Sequence, residues 1–194
     1  ARELVPAGTV EYYPVATRIM AKNPDIVFTS GANFSEILWD MGYKGLSASW
    51  FWVEGYAEQV GWDKCKGFLI GMPHPYGGLY PEAETFIAEL EARYDVKPIE
   101  VALLWAANIM YIWTDALRKA GTVDDMDKIV ETMETATLDT LAGPIKFGGE
   151  ELNGFGHVAI WSSPIYEVVG EDEYRVLAEY SPEETEAISA EVYK

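Results

Sequence analysis

The feature that most constrains this chain is an alternation of short apolar runs with helical patterns up to residue 71, cut off by a loop rich in Pro and Gly. Glu3 to Val5 reads as an opening strand, and Tyr13 to Ala21 carries apolar residues at helical spacing until Asn23-Pro24 stops it. Asp25 to Ser30 then reads as a buried strand, and Phe34 to Met41 as a helix entered through Asn33 and closed at Gly42. The unit repeats: a strand over Gly45 to Ser49, a short helix over Glu54 to Val60, and a strand over Gly67 to Gly71. Strands alternating with helices predict an α/β fold, with parallel sheets flanked by helices.

Past the loop from Met72 to Tyr80, which holds Pro73, Pro75, Gly77 and Gly78, the pattern turns helical. Helices are predicted over Pro81 to Arg93, Glu100 to Ala120 and Val123 to Glu134. The middle one is apolar almost all round and capped by Gly121, which predicts packing on several sides. From Gly143 onward short strands follow at Pro144 to Phe147, His157 to Trp161 and Tyr174 to Ala178, then a final helix opened by Ser181-Pro182-Glu183-Glu184.

Composition narrows the function classes. With 194 residues, 49% hydrophobic and 24% charged, the chain can bury a core as one domain or as two lobes. Acidic residues outnumber basic ones 32 to 14, and a net charge of −18 repels phosphate backbones, so nucleic acid is rejected as a partner. The acids fall in short runs such as Asp124, Asp125, Asp127 and Glu183, Glu184, Glu186, which read as solvated faces. The single cysteine, Cys65, lies between Lys64 and Lys66, whose charges would lower its pKa somewhat, yet no thiol-protease signature surrounds it. No run of 18 apolar residues exists, so no direct membrane insertion is expected, and Ala1-Arg2-Glu3 does not open a signal-peptide core.

Two strand ends stand out as candidate sites. Thr29-Ser30-Gly31-Ala32-Asn33 is a strand, a glycine and a helix start, the place where open α/β sheets hold ligands; one glycine is not a phosphate fingerprint. Ser47-Ala48-Ser49-Trp50-Phe51-Trp52 sets three aromatic rings at a turn, where they either staple the loop to the core or line a cleft for an apolar ligand. His74 and His157 are too few for a metal cluster and have no nucleophile-elbow partner, so neither a metal nor a cofactor is predicted. His74 suits a crossing between lobes and His157 a strand edge. Trp105, Tyr111 and Trp113 are expected to fill core volume.

The run Val5 to Ile19, followed by Asn23-Pro24-Asp25-Ile26-Val27-Phe28, resembles the branched-chain amino-acid-binding family of type I periplasmic receptors. Gly42-Tyr43-Lys44-Gly45, the Gly67 to Gly71 strand, Ala116 to Gly121 and Leu141 to Phe147 echo family segments in family order. The resemblance implies two α/β lobes joined by three crossings, with a solute trapped between them. It places residues 1–71 in the later part of the second lobe, 72–154 in the returning part of the first, and 155–194 in a hinge crossing and carboxy-terminal tail. The opening strands of the first lobe and the start of the second are then absent from this chain. The resemblance further implies a non-catalytic, periplasmic or otherwise extracytoplasmic component of an ABC importer, partnered by a membrane permease and open to a lipid anchor outside this chain. Its ligand contacts map onto Ala32 and Asn33, the Trp50-Phe51 turn, and Trp105 with Asn108, and Ser49, Trp52 and His74 stand beside them as further candidate ligand residues. Where amino-acid binders of the family place a carboxylate for the ligand ammonium, this chain offers Trp50, Phe51 or Trp52, with Glu54 a few residues on. An aromatic or apolar organic acid or amide therefore competes with an amino acid as ligand. A sensory domain on the same scaffold and a small α/β hydrolase using His74 with Cys65 or an acid are the rival readings.

Overall fold

A computed structural model describes residues 5, 11–29, 32–49, 57–58, 60–72, 77–95, 100–150 and 154–192. They fall into two compact units, Ala1–Met72 with Ile165–Arg175, and Pro73–Pro164 with Val176–Lys194. The chain therefore passes from one unit to the other at residues 72/73, 164/165 and 175/176. Residues 155–194 are divided between the units.

In unit 1, helix α1 (Tyr13–Met20) leads to β1 (Ile26–Phe28), α2 (Ala32–Asp40), β2 (Leu46–Ser49), a one-turn helix α3 (Trp62–Cys65) and β3 (Leu69–Ile70). Strand β1 runs parallel to β2, with Ile26 opposite Leu46, and β2 parallel to β3, with Ala48 opposite Leu69. The predicted strand at Glu3 to Val5 and most of the helix at Glu54 to Val60 lie outside the described residues.

The sheet is not parallel throughout. Strand β7 (Ser163–Gly170) joins antiparallel to β3, pairing Leu69 with Glu167 and Ile70 with Tyr166, and β8 (Glu173–Tyr180) lies beside β7. The expected parallel sheet is thus a mixed one, because the chain comes back to unit 1 late and adds its last strands as a hairpin. Strand β7 escaped the sequence reading because Pro164 opens it, although Pro164, Tyr166, Val168 and Gly170 alternate as buried residues.

Helices α1 and α2 cover one side of β1 through Ala16, Val27, Leu38 and Tyr43. The Tyr43 hydroxyl reaches the carbonyl oxygens of Pro24 and Leu46, both at 3.2 Å, and fixes the turn that carries the chain into β2. The strand expected to be buried on both faces is buried on one: Ile26, Phe28 and Leu46 are exposed.

Unit 2 sets α4 (Pro81–Tyr94), α5 (Glu100–Ala120) and α6 (Met126–Thr135) with an antiparallel sheet of β4 (Leu138–Thr140), β5 (Gly143–Gly148) and β6 (Val158–Trp161), then α7 (Pro182–Val192). Ile112 and Ala116 of α5 pack on Leu138 and Ile145. Local chemistry sets the helix ends. Asp125 accepts from the Lys128 amide at 3.1 Å, and Ser181 and Glu184 exchange bonds in a capping box, 2.8 and 3.2 Å. These acids of the supposed solvated runs therefore also cap helices.

Helix α5 packs on the sheet, on α6 and, through Ala107, on the cluster of Tyr80, Ala83 and Ile87, but not all round. Asn108, Ile112, Asp115 and Ala116 are buried along one stripe, whereas Trp105, Ile109, Met110, Tyr111 and Trp113 are exposed, Trp105 by 48%. Trp105, Tyr111 and Trp113 do not fill core volume, because within unit 2 only one face of α5 meets the sheet. Tyr111 instead meets Phe86 edge to face, with ring centroids 6.4 Å apart.

Candidate functional site

The carboxyl ends of the parallel strands β1 and β2 are lined with hydroxyls. Thr29 follows β1, is buried, and donates its amide to the Ala48 carbonyl at 2.8 Å; its Oγ1 lies 3.4 Å from Oγ of Ser35, in the first turns of α2. Ser49 at the end of β2 and Ser47, two residues earlier and opposite Val27, are also buried, and the Ser49 carbonyl accepts from the Gly71 amide at 3.0 Å. Ser47 Oγ has no hydrogen-bond partner, a state few buried hydroxyls are left in.

Of the residues singled out by sequence, Ala32 and Asn33 form the first turn of α2, and Ser49 ends β2. The free amides of a helix start and a set of neutral hydroxyls can donate hydrogen bonds to an anionic or carbonyl oxygen. The acids of α2 are engaged elsewhere, since Lys64 reaches Glu36 at 3.5 Å and Asp40 at 3.4 Å. Trp50, Phe51, Trp52 and His74 lie outside the described residues.

Trp105 and Asn108 lie on α5 of unit 2. Asn108 is fully buried and its Oδ1 accepts from the Leu141 amide at 3.0 Å, which ties α5 to the β4–β5 turn; its Nδ2 has no partner. His157 precedes β6 and has Nε2 2.6 Å from Glu134 Oε1. A groove of 780 Å³ in unit 2 runs between β5 and α7, where Lys146 faces Glu183 and Glu186. None of the sequence-predicted ligand residues lines it.

Cys65 corrects the sequence reading. Its thiol is fully buried, and that burial, with the nearby Glu36 charge, pushes it up to about 11 against the weaker pull of Lys64, while Lys66 is paired with Asp63 at 2.9 Å. A thiol shifted in this direction is a poor nucleophile at neutral pH.

The sequence reading included Thr29 and Ser47 in the two candidate strand ends without naming them as ligand residues, and it missed Ser35. The signal available was a strand ending in a hydroxyl residue, Thr29, and an alternation of small hydroxyl residues, Ser47 and Ser49, inside an otherwise apolar run.

A family model described as periplasmic binding protein matches residues 1–171. The chain belongs to the periplasmic binding protein family. No curated protein matches it by sequence. Among solved structures of similar fold are a leucine-binding protein from Thermotoga maritima (20% identity, 94% of this chain and 52% of that one, TM-score 0.68) and a leucine-, isoleucine-, valine-, threonine- and alanine-binding protein from Brucella ovis in a closed conformation (18%, 94% and 50%, TM-score 0.69). A solute-binding protein of an ABC transporter from R. palustris, in complex with benzoate, is a further one (17%, 92% and 49%, TM-score 0.64). The chain spans about half the length of these solved structures, and at these identities they show a shared α/β fold.

Proposed function

We propose that this chain is part of a non-catalytic, extracytoplasmic solute receptor that serves an ABC importer, with a small organic solute and a membrane permease as its partners. Family membership supports the class, and the hydroxyl-lined ends of β1 and β2 are the observation that carries the site. The solute is held there by the start of α2 at Ala32 and Asn33, by Ser49, and by Trp50, Phe51 and Trp52, which follow it in the sequence. Among the described residues no helix is long and apolar enough to cross a membrane.

The buried hydroxyls and helix amides suit a carboxylate, and an adjacent aromatic run suits a ring in place of a charged recognition element. The ligand class proposed is therefore an aromatic or apolar carboxylic acid, with branched-chain amino acids as the competitor. Titration of the complete protein with benzoate and with leucine tests it. Trp50→Ala and Phe51→Ala should each weaken benzoate binding about tenfold or more, since offset rings contribute about 0.5–1.5 kcal/mol per pair beyond the area they bury. Unchanged benzoate binding in both variants, or a preference for leucine that is lost in Glu54→Gln, overturns the aromatic reading.

A further inference from the structure

Three segments far apart in sequence, each next to one passage between the units, meet inside unit 2 at a single phenol. Tyr80 follows the first passage, Ser162 precedes the second and Glu179 follows the third. The Tyr80 hydroxyl is 3.1 Å from Ser162 Oγ and donates to Glu179 Oε1 at 3.4 Å; Ser162 Oγ also reaches the Ala142 carbonyl at 3.4 Å. Tyr80 and Ser162 are buried, 6% and 1% exposed.

The surroundings are shaped to this cluster. Gly143 adopts φ +87°, and a Cβ there would lie 2.6 Å from Ser162 Oγ and 2.9 Å from the Tyr80 ring, so only glycine admits both the backbone turn and the close approach. Burial pushes the Tyr80 phenol up to about 12, aided by the Glu179 charge and opposed by the Ser162 bond, so it stays a neutral donor at working pH. With Tyr80 donating to Glu179, the single Ser162 proton has two acceptors, the Tyr80 oxygen and the Ala142 carbonyl, and when it points to Tyr80 the hydroxyls run Ser162 to Tyr80 to Glu179 and end on a carboxylate.

Strands β7 and β8 run through the second and third passages, so one ladder already joins those two, and in unit 1 β3 pairs with β7 and brings in the first. In unit 2 the first passage is tied to that pair by the Tyr80 side chain. We infer that the Tyr80, Ser162 and Glu179 side chains form a clasp that fastens the unit 2 ends of all three passages together, so that they move as one joint. The clasp concerns the joint and not the ligand, and it stands whether or not the solute reading does.

Hydrogen exchange on the full chain tests it with Tyr80→Phe, which keeps the ring and removes the hydroxyl. Amides at 77–84, 158–163 and 176–180 should exchange about tenfold faster together, while the β4–β5 ladder of the same unit keeps its protection. Glu179→Gln, which keeps an acceptor, should change all three by less than twofold. A faster exchange confined to the Tyr80 segment, or no change anywhere, overturns the clasp. Should Tyr80→Phe fail to fold, Glu179→Ala at the exposed end of the cluster gives the same readout, with joint acceleration supporting the clasp and its absence refuting it.

Discussion

The two units answer the same demand, a helix held at one register on a sheet, with different chemistry. Unit 1 relies on parallel ladders and an apolar contact of α1 and α2, and its charge pairs sit outside: Lys64 with Glu36 and Asp40 joins side chains 35–47% exposed. Unit 2 takes a carboxylate inside. Asp115 of α5 is 6% exposed, accepts from the Asp139 amide at 2.9 Å, pairs with Lys119 at 2.7 Å and also with Arg118, and so pins the helix to β4. The difference teaches that two short edge strands, β1 and β4, can be held in different ways, β1 by its ladder and apolar cover and β4 also by a side chain on the helix that covers it.

Equal apolar truncations offer the first way to break this comparison. Leu38→Ala in unit 1 and Ile145→Ala in unit 2 both remove fully buried side chains, and each should cost about 3 kcal/mol in urea denaturation. A cost concentrated in one unit would show that packing, and not polar chemistry, separates them.

Asp115→Ala should cost about 2–3 kcal/mol, because it leaves the Asp139 amide unpaired and two cations without their shared acceptor. Its titration sharpens the point. Burial raises the Asp115 carboxyl, but the bonds from Lys119, the Asp139 amide and Arg118 outweigh it and hold the group down to about 2 against an ordinary 3.8. The stabilisation is therefore present above about pH 4 and drains away as pH falls toward 2, and wild type minus Asp115→Asn stability should shrink over that window. A difference that stays constant from pH 5 to 2 contradicts the assignment. At the small end, Lys64→Ala in unit 1 should cost less than about 0.5 kcal/mol and lose even that in high salt.

Legibility in the sequence followed the same divide. Strands β1, β2 and β3 and their helices announce themselves by alternation, and α5 is read to its exact bounds because Glu100 and Gly121 punctuate it. Strand β4 is three residues whose pairing depends on β5, and Leu138-Asp139-Thr140 carries no period of its own. The one-turn α3 is too short to show helical spacing. At the candidate site, Ala32, Asn33 and Ser49 were legible as strand and helix ends, whereas Thr29, Ser35 and Ser47 matter only because the fold buries them, which local sequence does not display. The apolar surface of α5 was misread for the same reason, since periodicity shows which residues are apolar and not which face finds a partner.

Solute recognition is the central claim, and native mass spectrometry of the complete protein, purified without denaturation, addresses it most directly. The account predicts a one-to-one adduct of a small organic acid that added benzoate displaces more readily than added leucine. A bare protein mass, with no heat or fluorescence change on titration with either compound, would contradict it.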